Sequence, residues 1–258
     1  MSVPGKCIFC GGKGLTKEHL FPQWMRPLLQ GYVEASELPS YAQLRTFGGL
    51  SVPGLPSANG WNNQGYIFNK RLRVVCRSCN NGWMSQQEQA TKSLLTAMIE
   101  GRPAPLGQDE QFQLALWCAL RAAIFERDDP KNAAISRYQY RYIYEHRTLP
   151  DGWKVFAASY SGLEWAARMF HLSGKVLNIN DQSMPSAPNT HLTAIGMGKT
   201  ICVVLGSTAT NASFVTTRLS PTGLEQIWPF VQALEWPVAP EIGDEALGQI
   251  AYGTPYFM

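Results

Sequence analysis

Long apolar runs are missing from this chain. The most apolar windows, around Ala115–Phe125 and Ile201–Leu205, are too short to span a bilayer, and the residues before Cys7 hold no apolar signal region. The expectation is therefore a cytoplasmic protein with no membrane partner. Charge is also scarce. Charged residues make up 16% and hydrophobic residues 45% of the sequence, which excludes a disordered or collagen-like chain and indicates a globular one. No internal repeat is visible. Histidine occurs four times in 258 residues, and three of these, His146, His171 and His191, lie far in sequence from the cysteine pairs described below. The C-terminal region contains no nucleophile triad, phosphate loop or paired-carboxylate motif, so an active site there has no motif to carry it.

Cysteine is present, and its spacing is informative. Four of six cysteines form two knuckles, Cys7-x2-Cys10 and Cys76-x2-Cys79. Without a secretion signal this spacing favours metal over disulfides, because two knuckles can set four thiolates at the corners of a tetrahedron, as structural zinc requires. The bland alternative is four free thiols at chance spacing. Cys118 and Cys202 sit in apolar runs and are expected to be buried packing residues. The net charge of +3 conceals an asymmetry: residues 1–100 hold ten Lys/Arg against five Asp/Glu. That surplus suits a phosphate-contacting face, and it equally suits an ordinary basic surface.

The length allows one large domain or two modest ones. Residues 26–68 are rich in Gly, Pro, Ser and Asn and read as a long loop insertion, functional or merely decorative, with short strands at best. Ser85-Gln86-Gln87-Glu88 reads as a capping box that starts a helix, with Leu94, Leu95, Met98 and Ile99 as its apolar face and Gly101-Arg102-Pro103 as its stop. Residues 109–127 predict a strongly apolar helix. Residues 136–146 predict another, whose Tyr138/Tyr142 and Tyr140/Tyr144 stripe reads as core packing rather than a base-stacking surface. From residue 152 the period becomes that of strands. Lys154–Tyr160 and Glu164–Leu172 predict one hairpin around Ser161-Gly162, and Leu192–Met197 and Thr200–Leu205 another around Gly198-Lys199. Phe214–Arg218 predicts a further strand and Thr222–Val231 a short helix. The expected class is α+β, with an N-terminal unit over residues 1–100 (insertion at 26–68) and an α+β domain of helices and antiparallel strands over 101–258.

Three segments invite a common explanation: Cys7 to Cys10 followed by Glu18-His19-Leu20-Phe21-Pro22, then Val74-Val75-Cys76 through Cys79-Asn80, then the helix that follows. Together they resemble the ββα-metal core of the zinc-containing HNH endonucleases, over about 55 residues in two segments. The resemblance implies a structural zinc on the four cysteines, and His19 as general base for water attacking a DNA phosphodiester. It also implies Glu18 and Asn80 as ligands of a catalytic Mg2+ or Mn2+ ion, and duplex DNA as the partner. Lys17, Arg71, Arg73 and Arg77 are the expected phosphate contacts, although Arg73 and Arg77 also suit a solvated surface. Asn80 has a local alternative, since Asn-Asn-Gly is turn text. Two positions depart from the family pattern. Arg71 stands where an asparagine orients the histidine, and Met84 where the last ligand is expected. These departures suit a second reading: a catalytically degenerate zinc module that binds nucleic acid or a protein partner.

Overall fold

The computed structural model describes residues 5–35, 41–45, 66–176, 185–209 and 223–252. Strand β1 (Leu15–His19) pairs antiparallel with β3 (Arg71–Cys76), His19 facing Arg71 and Leu15 facing Cys76. The chain then turns directly into helix at α2 (Arg77–Cys79), passes through a π-helical turn at Asn80–Met84 and continues as α3 (Ser85–Ile99). Because the backbone is already helical at Met84, Ser85 caps nothing, and the expected capping box is not formed. The stop is as expected. Gly101 takes φ +70, its amide donates to Met98 and that of Arg102 to Ala97, closing a Schellman motif.

Between β1 and β3 the expected loop is in part helical. Helix α1 spans Arg26–Ala35, with Pro27 in its first turn and Leu29 buried. Pro is well placed at a helix start, where its missing N–H is not needed. The strand β2 (Tyr41–Arg45) follows. Residues 36–40 and 46–65 of the insertion, and the strand expected at Phe214–Arg218, lie outside the described residues.

After a short strand β4 (Ala104–Leu106), helix α4 (Gln108–Phe125) is buried on all sides from Leu114 to Phe125. Helix α5 (Arg137–His146) starts on a genuine capping box: Gln139 N–H donates to Ser136 Oγ, and the Ser136 amide donates to Gln139 Oε1. The sheet is built from β5 (Lys154–Ser159), β6 (Ala167–Gly174), β7 (Thr190–Met197), β8 (Thr200–Ser207) and β9 (Glu225–Trp228), with β2 at one edge. Its order is β2-β6-β7-β8-β5-β9, antiparallel except for the β2–β6 pair. A small pair, β4 with β10 (Leu234–Trp236), and a last helix α6 (Asp244–Tyr252) complete the α+β arrangement. No described helix is long and apolar enough to cross a membrane.

The β7–β8 hairpin forms as expected, with Gly198 at φ +57 in the turn. The other expected hairpin does not. β5 pairs with β8 and β9, whereas β6 pairs with β7 and β2. The link between them is held away by the Asp244 carboxylate, which accepts from Tyr160 Oη and from the amides of Leu163 and Glu164. The expected helix over 222–231 is instead β9, ended by Pro229, with Ile227 buried. Both faces of the sheet are covered. Val155, Ala157, Met169 and Ile195 face one apolar cluster, and Phe156, Ala158, Phe170 and Ala194 face another. Double coverage explains why β6, β7 and β8 read as continuous buried runs rather than alternating ones. The first cluster also holds α4 and Phe9, Cys76 and Cys79, so one core crosses residue 100.

Inside this core lie His171 and His191, stacked at 5.7 Å between centroids, with His171 Nδ1 on Thr193 Oγ1 at 2.8 Å and its Nε2 3.8 Å from Glu126. Burial holds both rings neutral, His171 falling to about 3 and His191 well below its usual value. Depressed folded values mean that their stability is present above pH 6.5 and is lost as pH falls below it. Buried Glu126, raised to about 7 chiefly by desolvation, acts in the opposite sense between its unfolded value and pH 7. Two histidines outweigh one carboxyl. Stability should therefore fall by about 1.4 kcal/mol per pH unit between pH 6 and 5, and urea unfolding of a His171→Gln/His191→Gln variant should show that slope flattened or reversed.

Candidate metal centre and adjoining cleft

The first knuckle is a tight turn. The Gly11 amide donates to the Cys7 carbonyl at 3.0 Å, the Cys7 amide donates to Gly12 at 2.8 Å, and the Gly12 amide points at Cys10 Sγ at 3.3 Å. Gly11 sits at φ +73, which favours glycine, and a Cβ on Gly12 would lie 3.2 Å from the Cys10 sulfur, a tight contact that the sulfur would have to yield to. In the second knuckle Cys76 ends β3 and Cys79 lies in the first helical turn, where backbone amides favour negative charge. Backbone bonds from Ile8 to Val74 and from Arg77 to Gly14 join the two knuckles.

The ligand atoms of Cys7, Cys10, Cys76 and Cys79 all lie within 4.8 Å of one another, and Cys10 Sγ is 3.5 Å from Cys76 Sγ. The Cys79 thiol, donating toward Cys7, draws Cys7 down to about 4 and is itself pushed far up by the sharing. Burial raises Cys10 as well. The protein alone thus favours the thiolate of Cys7 and opposes those of Cys10 and Cys79, whereas a bound cation would stabilise thiolates at this cluster. Four sulfurs at this spacing can hold one metal ion such as zinc. Among the described residues, no other group of three or more His, Cys, Asp or Glu converges this closely.

Beside the knuckles opens a cleft of about 350 Å³, lined among others by Glu18, His19, Trp24, Asn80, Met84, Glu88 and Arg121. Glu18 and His19 come from the end of β1, Asn80 and Met84 from the π-turn, and Glu88 from α3. The structure brings Glu18, His19 and Asn80, expected at one site, into this same cleft. Asn80 itself has helical dihedrals and caps the short α2, and the Asn-Asn-Gly text bends the chain at Gly82, where φ -94 and ψ -114 leave the helical region. The Asn80 amide donates to Thr16 Oγ1 at 3.0 Å, while Thr16 gives its own proton to the Val75 carbonyl at 3.2 Å. Thr16 can then only accept from Asn80, which turns the amide nitrogen toward Thr16 and leaves Oδ1 facing elsewhere. Lys17, Arg71, Arg73 and Arg77 are all exposed.

His19 is partly buried, and no described residue makes a hydrogen bond to its ring. Burial first, and then the Arg71 charge across the ladder, lower its pKa below 6.5, so the imidazole is neutral at pH 7. His146, His171 and His191 do not reach the cleft. Two lining residues escaped the sequence reading. Glu88, assigned to a cap that does not form, turns inward, and burial followed by the Glu18 charge raises its carboxyl. Its spacing from Asn80 gave no signal, because the chain kinks between them at Gly82, whose dihedrals are not helical. Arg121 was the lone charge within the apolar run of α4. Only 1% exposed, it donates from Nη1 to Glu18 Oε1 at 2.9 Å and to the His19 carbonyl at 3.0 Å.

No family model, curated protein or solved structure matches the chain.

Purified protein should contain one tightly held metal ion per chain, measured by elemental analysis. Cys76→Ser should remove it and destabilise the chain by several kcal/mol. Arg121→Met leaves a buried carboxylate unpaired and should cost about 3–5 kcal/mol, most of it recovered in Arg121→Met/Glu18→Leu, by chemical denaturation.

Proposed function

We infer that this protein is a metal-dependent endonuclease of the HNH type that hydrolyses DNA phosphodiester bonds. The observation that carries the reading is the convergence of His19, Glu18 and Asn80 in one cleft, on two strands and a helix joined at the four-cysteine cluster. Zinc on those cysteines has a structural role, holding the strand ends and the helix start in place. His19, neutral at pH 7, takes a proton from the water that attacks phosphorus, and the ester P–O bond breaks on the far side. Glu18, through the oxygen not bonded to Arg121, Asn80 Oδ1 and the added carboxylate of Glu88 are the oxygen donors for a Mg2+ or Mn2+ ion. When bound, that ion neutralises charge on the phosphate and the leaving oxygen. These donors are not packed into a closed cage, which suits magnesium, an ion that keeps several of its waters. Glu88 replaces the ligand that Met84, a thioether, cannot supply to a hard cation. Exposed Lys17, Arg71, Arg73 and Arg77 are the candidate phosphate contacts.

Two observations favour the second reading, a degenerate module that binds nucleic acid or a protein partner without cutting. Glu18 is already neutralised by Arg121, and Arg71 rather than an orienting amide stands opposite His19.

Plasmid cleavage with Mg2+ or Mn2+ separates the two. On the endonuclease reading, His19→Ala should lose about 100-fold or more in rate. The wild-type rate should rise with pH below 6.5 as His19 deprotonates and then level off, and Glu88→Gln should raise the metal concentration required. No cleavage by any form, or equal cleavage by wild type and His19→Ala, would establish the degenerate reading or a different active site.

A further inference from the structure

The tyrosine stripe of α5 divides into two faces with different fates. Tyr140 is 2% exposed and gives its hydroxyl to Glu126 at 2.9 Å, and Tyr144 meets Trp83 edge-on at 6.4 Å between centroids. Those two account for the packing expected of the stripe. The others do not pack. Tyr138 is 71% exposed, the most exposed large hydrophobic side chain among the described residues, and Tyr142 is only half-buried. Their rings lie 6.0 Å apart, and Tyr142 lies 4.5 Å from the exposed His146 ring. Three flat rings thus form a ladder at i, i+4 and i+8 along one helix face.

We propose that this outer face of α5 is a stacking platform for the unpaired bases of a single nucleic-acid strand. The face is rigid, because its opposite side is fixed through Tyr140 to Glu126 and to Phe9 at 6.0 Å, beside the first knuckle. The ring centres lie 6.0 and 4.5 Å apart and successive planes are tilted by 48° and 45°, so bases stacked on successive rings cannot keep the parallel spacing of roughly 3.4 Å in a duplex strand. Charge is complementary to a phosphate backbone. Arg137 is exposed beside Tyr138, and Arg141 is exposed but paired at 2.6 Å with Glu145, the one acid on the helix, so the face carries the net positive charge of Arg137. At the foot of Tyr138 and Tyr142 lies a cleft of about 400 Å³ bordered by Asp151 and Ser207, with room and polar groups for the edge of a base. Base–aromatic stacking tolerates any sequence, because every base has a π-face.

The choice of nucleic acid as occupant rests on the nuclease reading, but the platform is separate from the cleft that holds His19, so the two can fail separately. Fluorescence anisotropy of a labelled oligo-dT strand, with a duplex of equal length as control, is measured on the full-length His19→Ala protein. The single strand should bind more tightly than the duplex. Tyr138→Ala and Tyr142→Ala should each weaken it about tenfold, while Tyr138→Phe, which keeps the ring, should bind like the parent. Unchanged oligo-dT binding in the Tyr138→Ala/Tyr142→Ala protein, loss in Tyr138→Phe equal to that in Tyr138→Ala, or no single-strand binding by the parent would overturn the platform. Tyrosine-dependent binding in a protein whose wild type never cleaves would leave the platform standing and remove the nuclease.

Discussion

Four sulfur atoms within 4.8 Å are a contradiction that the protein cannot resolve by itself. Thiols that close share protons, and one thiolate beside another is costly, as the opposite displacements of Cys7 and Cys79 express. A bound cation turns this crowding into cohesion worth on the order of 10 kcal/mol. The consequence is geometric. β1 and β3 form only a two-stranded ladder, which is marginal in water on its own. An ion tying its base to the start of the helix would make it a stiff platform for Glu18 and His19, with Asn80 on the helix beside them.

The platform does not stand apart from the rest of the molecule. Arg121 reaches from the buried middle of α4 to the Glu18 carboxylate and the His19 carbonyl, so the strand that carries the candidate base is held from the C-terminal side. α4 in turn lies against β5, β8 and β9, and the apolar cluster around it runs from Phe9 to Val238. A buried arginine costs desolvation, and two hydrogen bonds together with the Trp117 face offset it. The sheet therefore contributes to the cleft indirectly, as the support of the helix that supports the strand.

Local text was read well where one kind of force acted alone. Gly101 ended α3, and Gly198 turned the β7–β8 hairpin, because positive φ belongs to glycine irrespective of context. Readings failed where two forces competed. Ser85 and Glu88 have the spacing of a capping box, but past the kink at Gly82 the backbone is already helical at Met84, so Ser85 is not a cap and Glu88 lines the cleft instead. Ser161-Gly162 has the composition of a hairpin turn, but Asp244, some eighty residues later, captured the amides there and sent β6 to the far side of β7. The residues of α1 were read with their Gly- and Pro-rich neighbours, although Pro27 and Leu29 carried a helical signal of their own.

What the sequence determined by itself was the cluster of four cysteines and the company of Glu18, His19 and Asn80. Within each knuckle and within Glu18-His19 the spacing is local and leaves the chain little choice, while the two halves, 66 residues apart at Cys10 and Cys76, meet through the β1–β3 pairing. The tertiary structure alone decided what surrounds them. Arg121 faces Glu18, and Glu88 completes the wall of the cleft. Tyr138 faces solvent and Tyr142 is half-buried beside it, while Tyr140 is sealed in the core. A helix period shows that tyrosines share a face, but only the packing of neighbouring elements settles which face is covered.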